Sequence, residues 1–107
     1  AKLQNLEELS LYNTEITNEG LKEVAKLQKL TNLSLPTQIT DAGLKEVAKL
    51  QKLTNLSLYN NKITDEGLKE VAKLKKLGLL WLGDIQITAE GVAELKKALP
   101  NCGIIGP

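Results

Sequence analysis

The chain has no histidine, no arginine, no phenylalanine and no methionine, and its 107 residues include a single cysteine, a single tryptophan and two tyrosines. Each absence removes a class of chemistry. Without histidine, neither Ser-His-Asp triads nor Cys-His pairs can form, and the usual His/Cys zinc clusters lose their ligands. Without arginine, the planar fork that reads guanine and grips phosphate is missing. Three aromatic residues offer little for bases to stack on. No apolar run approaches the roughly 20 residues of a membrane-crossing helix, and the first residues lack the charged-then-apolar pattern of a signal peptide. A soluble segment with no membrane and no nucleic-acid partner is expected. One cysteine cannot close an internal disulfide, which leans the expectation towards a reducing, cytoplasmic setting and leaves the compartment otherwise unknown.

What the chain does have is ordinary in bulk: 42% hydrophobic and 25% charged residues with a formal net charge of +1. That composition fits one folded domain. Its order is not ordinary. The stretch GLKEVAKLQKLTNLSL runs from Gly20 to Leu35, recurs unchanged from Gly43 to Leu58, and returns in part from Gly67 to Leu74. The leucines align as Leu6, Leu9, Leu11, then Leu30, Leu33, Leu35, then Leu53, Leu56, Leu58, then Leu77, Leu80, Leu82, at spacings of 24, 23 and 24 residues. Repeats of this length imply a solenoid.

Within each unit the periodicity changes. The L-x-x-L-x-L part alternates, as a strand with one buried face requires, so its leucines go inward. After Ile16, Ile39, Ile63 and Ile87 the period becomes helical: Leu21, Val24 and Ala25 make one apolar stripe with Lys22, Glu23 and Lys26 opposite. Thr17, Thr40, Thr64 and Thr88 stand as N-caps, and Glu19, Asp41, Asp65, Glu66 and Glu90 occupy first turns where the helix dipole favours anions. Lys26, Lys29, Lys49, Lys52, Lys75 and Lys76 are expected at the opposite helix ends. Gly20, Gly43, Gly67 and Gly91 recur in the first turn despite their low helix propensity, which implies close packing there.

Four units of this form resemble the leucine-rich-repeat family over essentially the whole chain, in an L-x-x-L-x-L-x-x-T-x-I-T-D-x-G-L variant similar to ribonuclease-inhibitor-like and cysteine-containing bacterial repeats. The resemblance implies an α/β solenoid with a curved parallel sheet on the concave side and helices on the convex side. Repeats would span about 6–29, 30–52, 53–76 and 77–98, with a closing half-repeat over 99–107 that places Cys102 inward. The small residue at Ala25, Ala48 and Ala72 becomes Lys96 in the fourth unit, as expected where no further helix stacks. The family's polar ladder position falls at Thr14, Asn61 and Ile85, and the second unit is one residue short near Pro36 and Thr37, where a bend is expected. Ala1-Lys2-Leu3-Gln4 matches Ala25-Lys26-Leu27-Gln28, so a fragment of a longer array is expected, as a monomer or as a weak dimer paired through the first strand.

An enzyme is not expected, and no cofactor is implied. Glu23, Glu46 and Glu70 recur once per unit with a Lys three residues on, the pattern of a solvated helix face rather than of paired acid and base. Cys102 reads as core filler. The sequons Asn32-Leu-Ser34 and Asn55-Leu-Ser57 lie in strand segments and follow from repeat copying. The lysine rows Lys22, Lys45, Lys69 and Lys26, Lys49, Lys73, Lys97 are interleaved with glutamates and read as a solvated convex face.

The better candidate is the concave side, where residues between the leucines form columns: Glu8, Asn32, Asn55, Leu79; then Ser10, Ser34, Ser57, Trp81; then Tyr12, Pro36, Tyr59, Gly83. Every aromatic of the chain falls in them, on positions that face water rather than the core, and Tyr and Trp are common interface anchors. Tyr12, Tyr59, Leu79 and Trp81 are the expected anchors for a protein or peptide, with Asn13, Asn60 and Asp84 as a polar rim. A competing expectation has Leu79 and Trp81 leaning over Gly103 to Ile105 to close the stack. The competing roles are a structural spacer or a recruitment arm in a larger multidomain protein.

Overall fold

The computed structural model describes residues 6–11, 15–35, 38–58, 63–83 and 87–105. The expected anchors Tyr12 and Tyr59, the rim residues Asn13, Asn60 and Asp84, the polar ladder position and the Pro36–Thr37 bend lie outside them. Strands and helices alternate: β1 (Glu8–Ser10), α1 (Asn18–Val24), β2 (Asn32–Ser34), α2 (Asp41–Val47), β3 (Asn55–Leu58), α3 (Asp65–Val71), β4 (Leu79–Leu82), α4 (Ala89–Ala98) and β5 (Gly103–Ile105). The five strands form one parallel sheet in sequence order, and each helix crosses over to the next strand. Helices contact only their neighbours, as do strands. This is the α/β solenoid the leucine spacing implies.

Register turns sequence periodicity into columns. Leu9, Leu33, Leu56, Leu80 and Ile104 align across the sheet and point to the helix layer. Leu33, Leu35, Leu56, Leu58, Leu80 and Leu82 are buried, joined by Leu30, Leu53 and Leu77 from the strand starts and by Leu44, Val47, Leu68 and Val71 from the helices. Leu6 and Leu9 are only half-buried, because β1 is an edge strand with a neighbour on one side. At the other edge Leu99 and Cys102 join the core. Burial raises the Cys102 thiol above its ordinary pKa, so the protonated form is favoured.

Strand starts are tied by a recurring bifurcated bond. The carbonyl of Glu7 accepts from the amides of Thr31 and Asn32, that of Thr31 from Thr54 and Asn55, and that of Thr54 from Gly78 and Leu79, at 2.8 and 3.0 Å in each case. The first three helices end one residue before Ala25, Ala48 and Ala72, earlier than the lysine pattern suggests. Lys26, Lys29, Lys49, Lys52, Lys75 and Lys76 therefore lie past the helix ends, in the turns. The physical reason is the next apolar residue: Leu50 and Leu74 must drop into the core, which a continued helix would not allow. At the first two turns a glutamine, not a lysine, satisfies a free helix carbonyl, with Gln28 and Gln51 donating to Ala25 and Ala48 at 2.5 Å.

Candidate functional site

On the water side of the sheet, two columns run the length of the array. One is Glu8, Asn32, Asn55, Leu79, Gly103 and the other Ser10, Ser34, Ser57, Trp81, Ile105. The first four members of each are those the alternation of the leucines implies. Their chemistry changes along the array. Over β1 to β3 the face is polar, with Asn32 Nδ2 donating to Glu8 Oε2 at 3.4 Å. Over β4 and β5 it is apolar.

Leu79 and Trp81 are both half-buried rather than enclosed. Part of the competing expectation holds for Leu79, whose Cδ1 would lie 3.5 Å from a Cβ at position 103 and so covers Gly103. Trp81 pairs in register with Ile105, which at 43% is the one large hydrophobic residue exposed to this degree among the described residues. Sequence reasoning stopped its column at Trp81 and missed Ile105. Counting one strand further, from Cys102 inward to Gly103 and Ile105 outward, supplies it.

A second set of residues organises the helix side. Asn18 Oδ1 accepts from the Thr40 amide at 3.1 Å while its Nδ2 donates to the Thr40 hydroxyl at 2.6 Å. Asp41 accepts from the Thr64 amide at 2.8 Å and the Thr64 hydroxyl at 2.5 Å, and Asp65 accepts from the same two groups of Thr88 at 2.9 and 2.6 Å. Each first helical residue thus reaches forward to the N-cap threonine of the next unit. The recurring glycine makes room: a Cβ on Gly43, Gly67 or Gly91 would collide with Asn18, Asp41 or Asp65 respectively. The close packing expected at these glycines is present, and its cause is this fork.

The rungs also explain the capping. Thr64 and Thr88 give their hydroxyl proton to a carboxylate and keep lone pairs for a helix amide, so they accept from Glu66 and Gly91 at 3.3 and 3.0 Å. Thr40 spends its oxygen on the Asn18 amide and makes no side-chain cap. The Thr88 hydroxyl, then its amide, hold the Asp65 carboxyl below its ordinary pKa. Asp41 and Asp65 thus serve the next unit as well as their own helix dipole.

The outer helix face carries the expected ion pairs, Glu23–Lys26, Glu46–Lys49 and Glu70–Lys73, at 3.2, 2.9 and 2.8 Å. Glu19–Lys22 and Glu66–Lys69 add two of the same spacing. Between α3 and α4 an open groove of about 570 Å³ is floored by Leu68, Ala72, Leu95 and Ala98. Among the described residues no helix is long and apolar enough to cross a membrane.

A sequence profile described as leucine-rich repeat matches residues 2–25 and 49–72. The structure of an internalin C2 from Listeria monocytogenes superposes on 95% of the chain with a TM-score of 0.76 at 33% sequence identity. The chain is a leucine-rich-repeat protein. A second Listeria monocytogenes internalin shares the fold over 95% of the chain, with a TM-score of 0.59 at 23% identity. The leucine-rich-repeat chain spans 42% of the first internalin and 35% of the second. No curated protein matches it significantly. Proteins of the leucine-rich-repeat family serve generally as interaction scaffolds, and this chain carries the scaffold in four strand–helix units and a fifth strand.

Proposed function

We propose that the chain is a non-catalytic scaffold that binds a protein or peptide on the concave face of its sheet. The observation that carries this reading is the placement of Leu79, Trp81 and Ile105 side by side on the open side of β4 and β5, next to a face that is otherwise polar. Large apolar side chains that are not needed for the core, gathered in one place and flanked by polar residues, have the composition of an interface centre and rim. By the alternation of the sequence alone, the proposed surface also includes Tyr12 and Tyr59, with Asn13, Asn60 and Asp84 as its rim.

The test compares the parent chain with a Leu79→Ser/Trp81→Ser/Ile105→Ser variant and a Tyr12→Ser/Tyr59→Ser variant, each checked for equal melting temperature. Partner capture followed by titration should show binding lost in the first variant and weakened in the second. Equal recovery by all three chains overturns the reading and leaves the spacer role, in which the interlocked units only set a distance within a larger protein.

A further inference from the structure

The apolar end of the concave face is bordered by unpaired positive charge, which specifies the chemistry of what docks there. β4 is preceded by Lys75 and Lys76, both exposed, and the preceding unit contributes exposed Lys52 in the same turn. Among the described residues none of the three is in an ion pair, whereas the lysines one turn earlier, Lys49 and Lys73, are held by Glu46 and Glu70. Position 75 is glutamine in the two earlier units, where it donates to a helix carbonyl; here a third cation replaces that bond.

The path from these lysines to the apolar patch is open. Gly78 stands where the earlier units have Thr31 and Thr54, it is exposed, and no side-chain atom lies within 4 Å of the place its Cβ would occupy. Lys76 is three residues from Leu79, at most about 11 Å of extended chain, and a lysine side chain bridges much of that. Among the described residues of the two concave columns, the carboxylate lies at the far end, at Glu8 on β1. Apolar area and cationic rim therefore coincide over β4, and the face is polarised along the array.

We infer that the segment bound on this face carries a large apolar side chain, seated on Leu79, Trp81 and Ile105, with acidic residues beside it that meet Lys52, Lys75 and Lys76. The inference rests on the binding reading above and narrows it to acidic-apolar peptides. Charge complementarity of this kind selects partners and raises the association rate, and it weakens with salt.

The probe is a random nine-residue peptide library displayed on phage and selected on the intact chain, with Trp81 emission reporting binding of the enriched peptides. Enriched sequences should carry aspartate or glutamate beside a large apolar residue. Their affinity should fall about tenfold in a Lys75→Glu/Lys76→Glu variant and stay unchanged in a Lys22→Glu/Lys45→Glu variant of the helix face, which carries the same charge change. Enrichment of neutral or basic sequences whose binding is lost in Trp81→Ser overturns the acidic specificity and leaves the binding face standing. Enrichment indifferent to Trp81→Ser, or none at all, overturns both.

Discussion

Asn18 and Asp65 occupy the same place in the first and third units and each forks to a threonine of the next, but only one of them can be protonated. Hydrogen bonds from Thr88 hold the folded-state pKa of Asp65 below that of the unfolded chain. The stabilisation from its ionised form is therefore complete above an unfolded value of about 4 and is lost as pH falls through the lower folded value. Asp65→Asn should flatten the fall of the urea midpoint between pH 5 and pH 2. At pH 7 the same variant should unfold at somewhat lower urea, because its amide would donate to Thr88 as Asn18 does to Thr40, where the side-chain cap is lacking. An acid limb as steep as the parent's would show that the fork does not depend on charge.

At the scale of the helix, ordinary propensity gives the wrong sign for Gly67. In a free helix Gly→Ala gains up to about 1 kcal/mol. Here the new Cβ would meet Asp41 Oδ1 from the preceding unit, Leu44 Cδ1 at 2.9 Å and Ile63 Cγ2 at 3.0 Å. Gly67→Ala should cost about 1–3 kcal/mol in a denaturant melt, and a stabilised variant would remove the fork as the reason for glycine. How much of each element was legible follows from what fixes it. The N-cap positions and the strand register are local or strictly periodic, so the sequence carries them, although only Thr64 and Thr88 make the side-chain cap and Thr17 and Thr40 do not. The forward reach of Asn18, Asp41 and Asp65 joins residues 22 or 23 apart, and no local rule contains it. Its trace was there all the same, in a polar residue two positions after each isoleucine that becomes Ala89 in the fourth unit.

The whole array is a set of nearest-neighbour contacts, so position in the stack governs the cost of a deletion. Leu56 is fully buried in the middle strand with a unit on each side, and Leu56→Ala should cost about 2–5 kcal/mol. Leu9→Ala, the equivalent change in half-buried edge strand β1, should cost clearly less in the same melt; equal costs would mean that the stack does not support its middle more than its edge. The site was legible to the same depth as the register. The alternation placed Leu79 and Trp81 facing outward, because alternation alone decides the side of a strand. The same spacing, continued through Leu99, Cys102 and Ile104, puts Ile105 outward as well, so the extension of the face onto β5 (Gly103–Ile105) is carried by the pattern of the closing half-repeat.

The fork has a direction, from the first helical residue of one unit to the threonine and glycine of the next, and that has a genetic corollary. Plug and socket are encoded in the same block of 23 or 24 residues. A tandem duplication or deletion of one whole block among the first three units therefore creates no mismatched junction and changes only the length of the array, whereas a copy of the fourth, with Ala89 in place of the plug, would leave the next threonine without its partner. The verbatim copy of Gly20–Leu35 at Gly43–Leu58 is the kind of trace that such an event leaves.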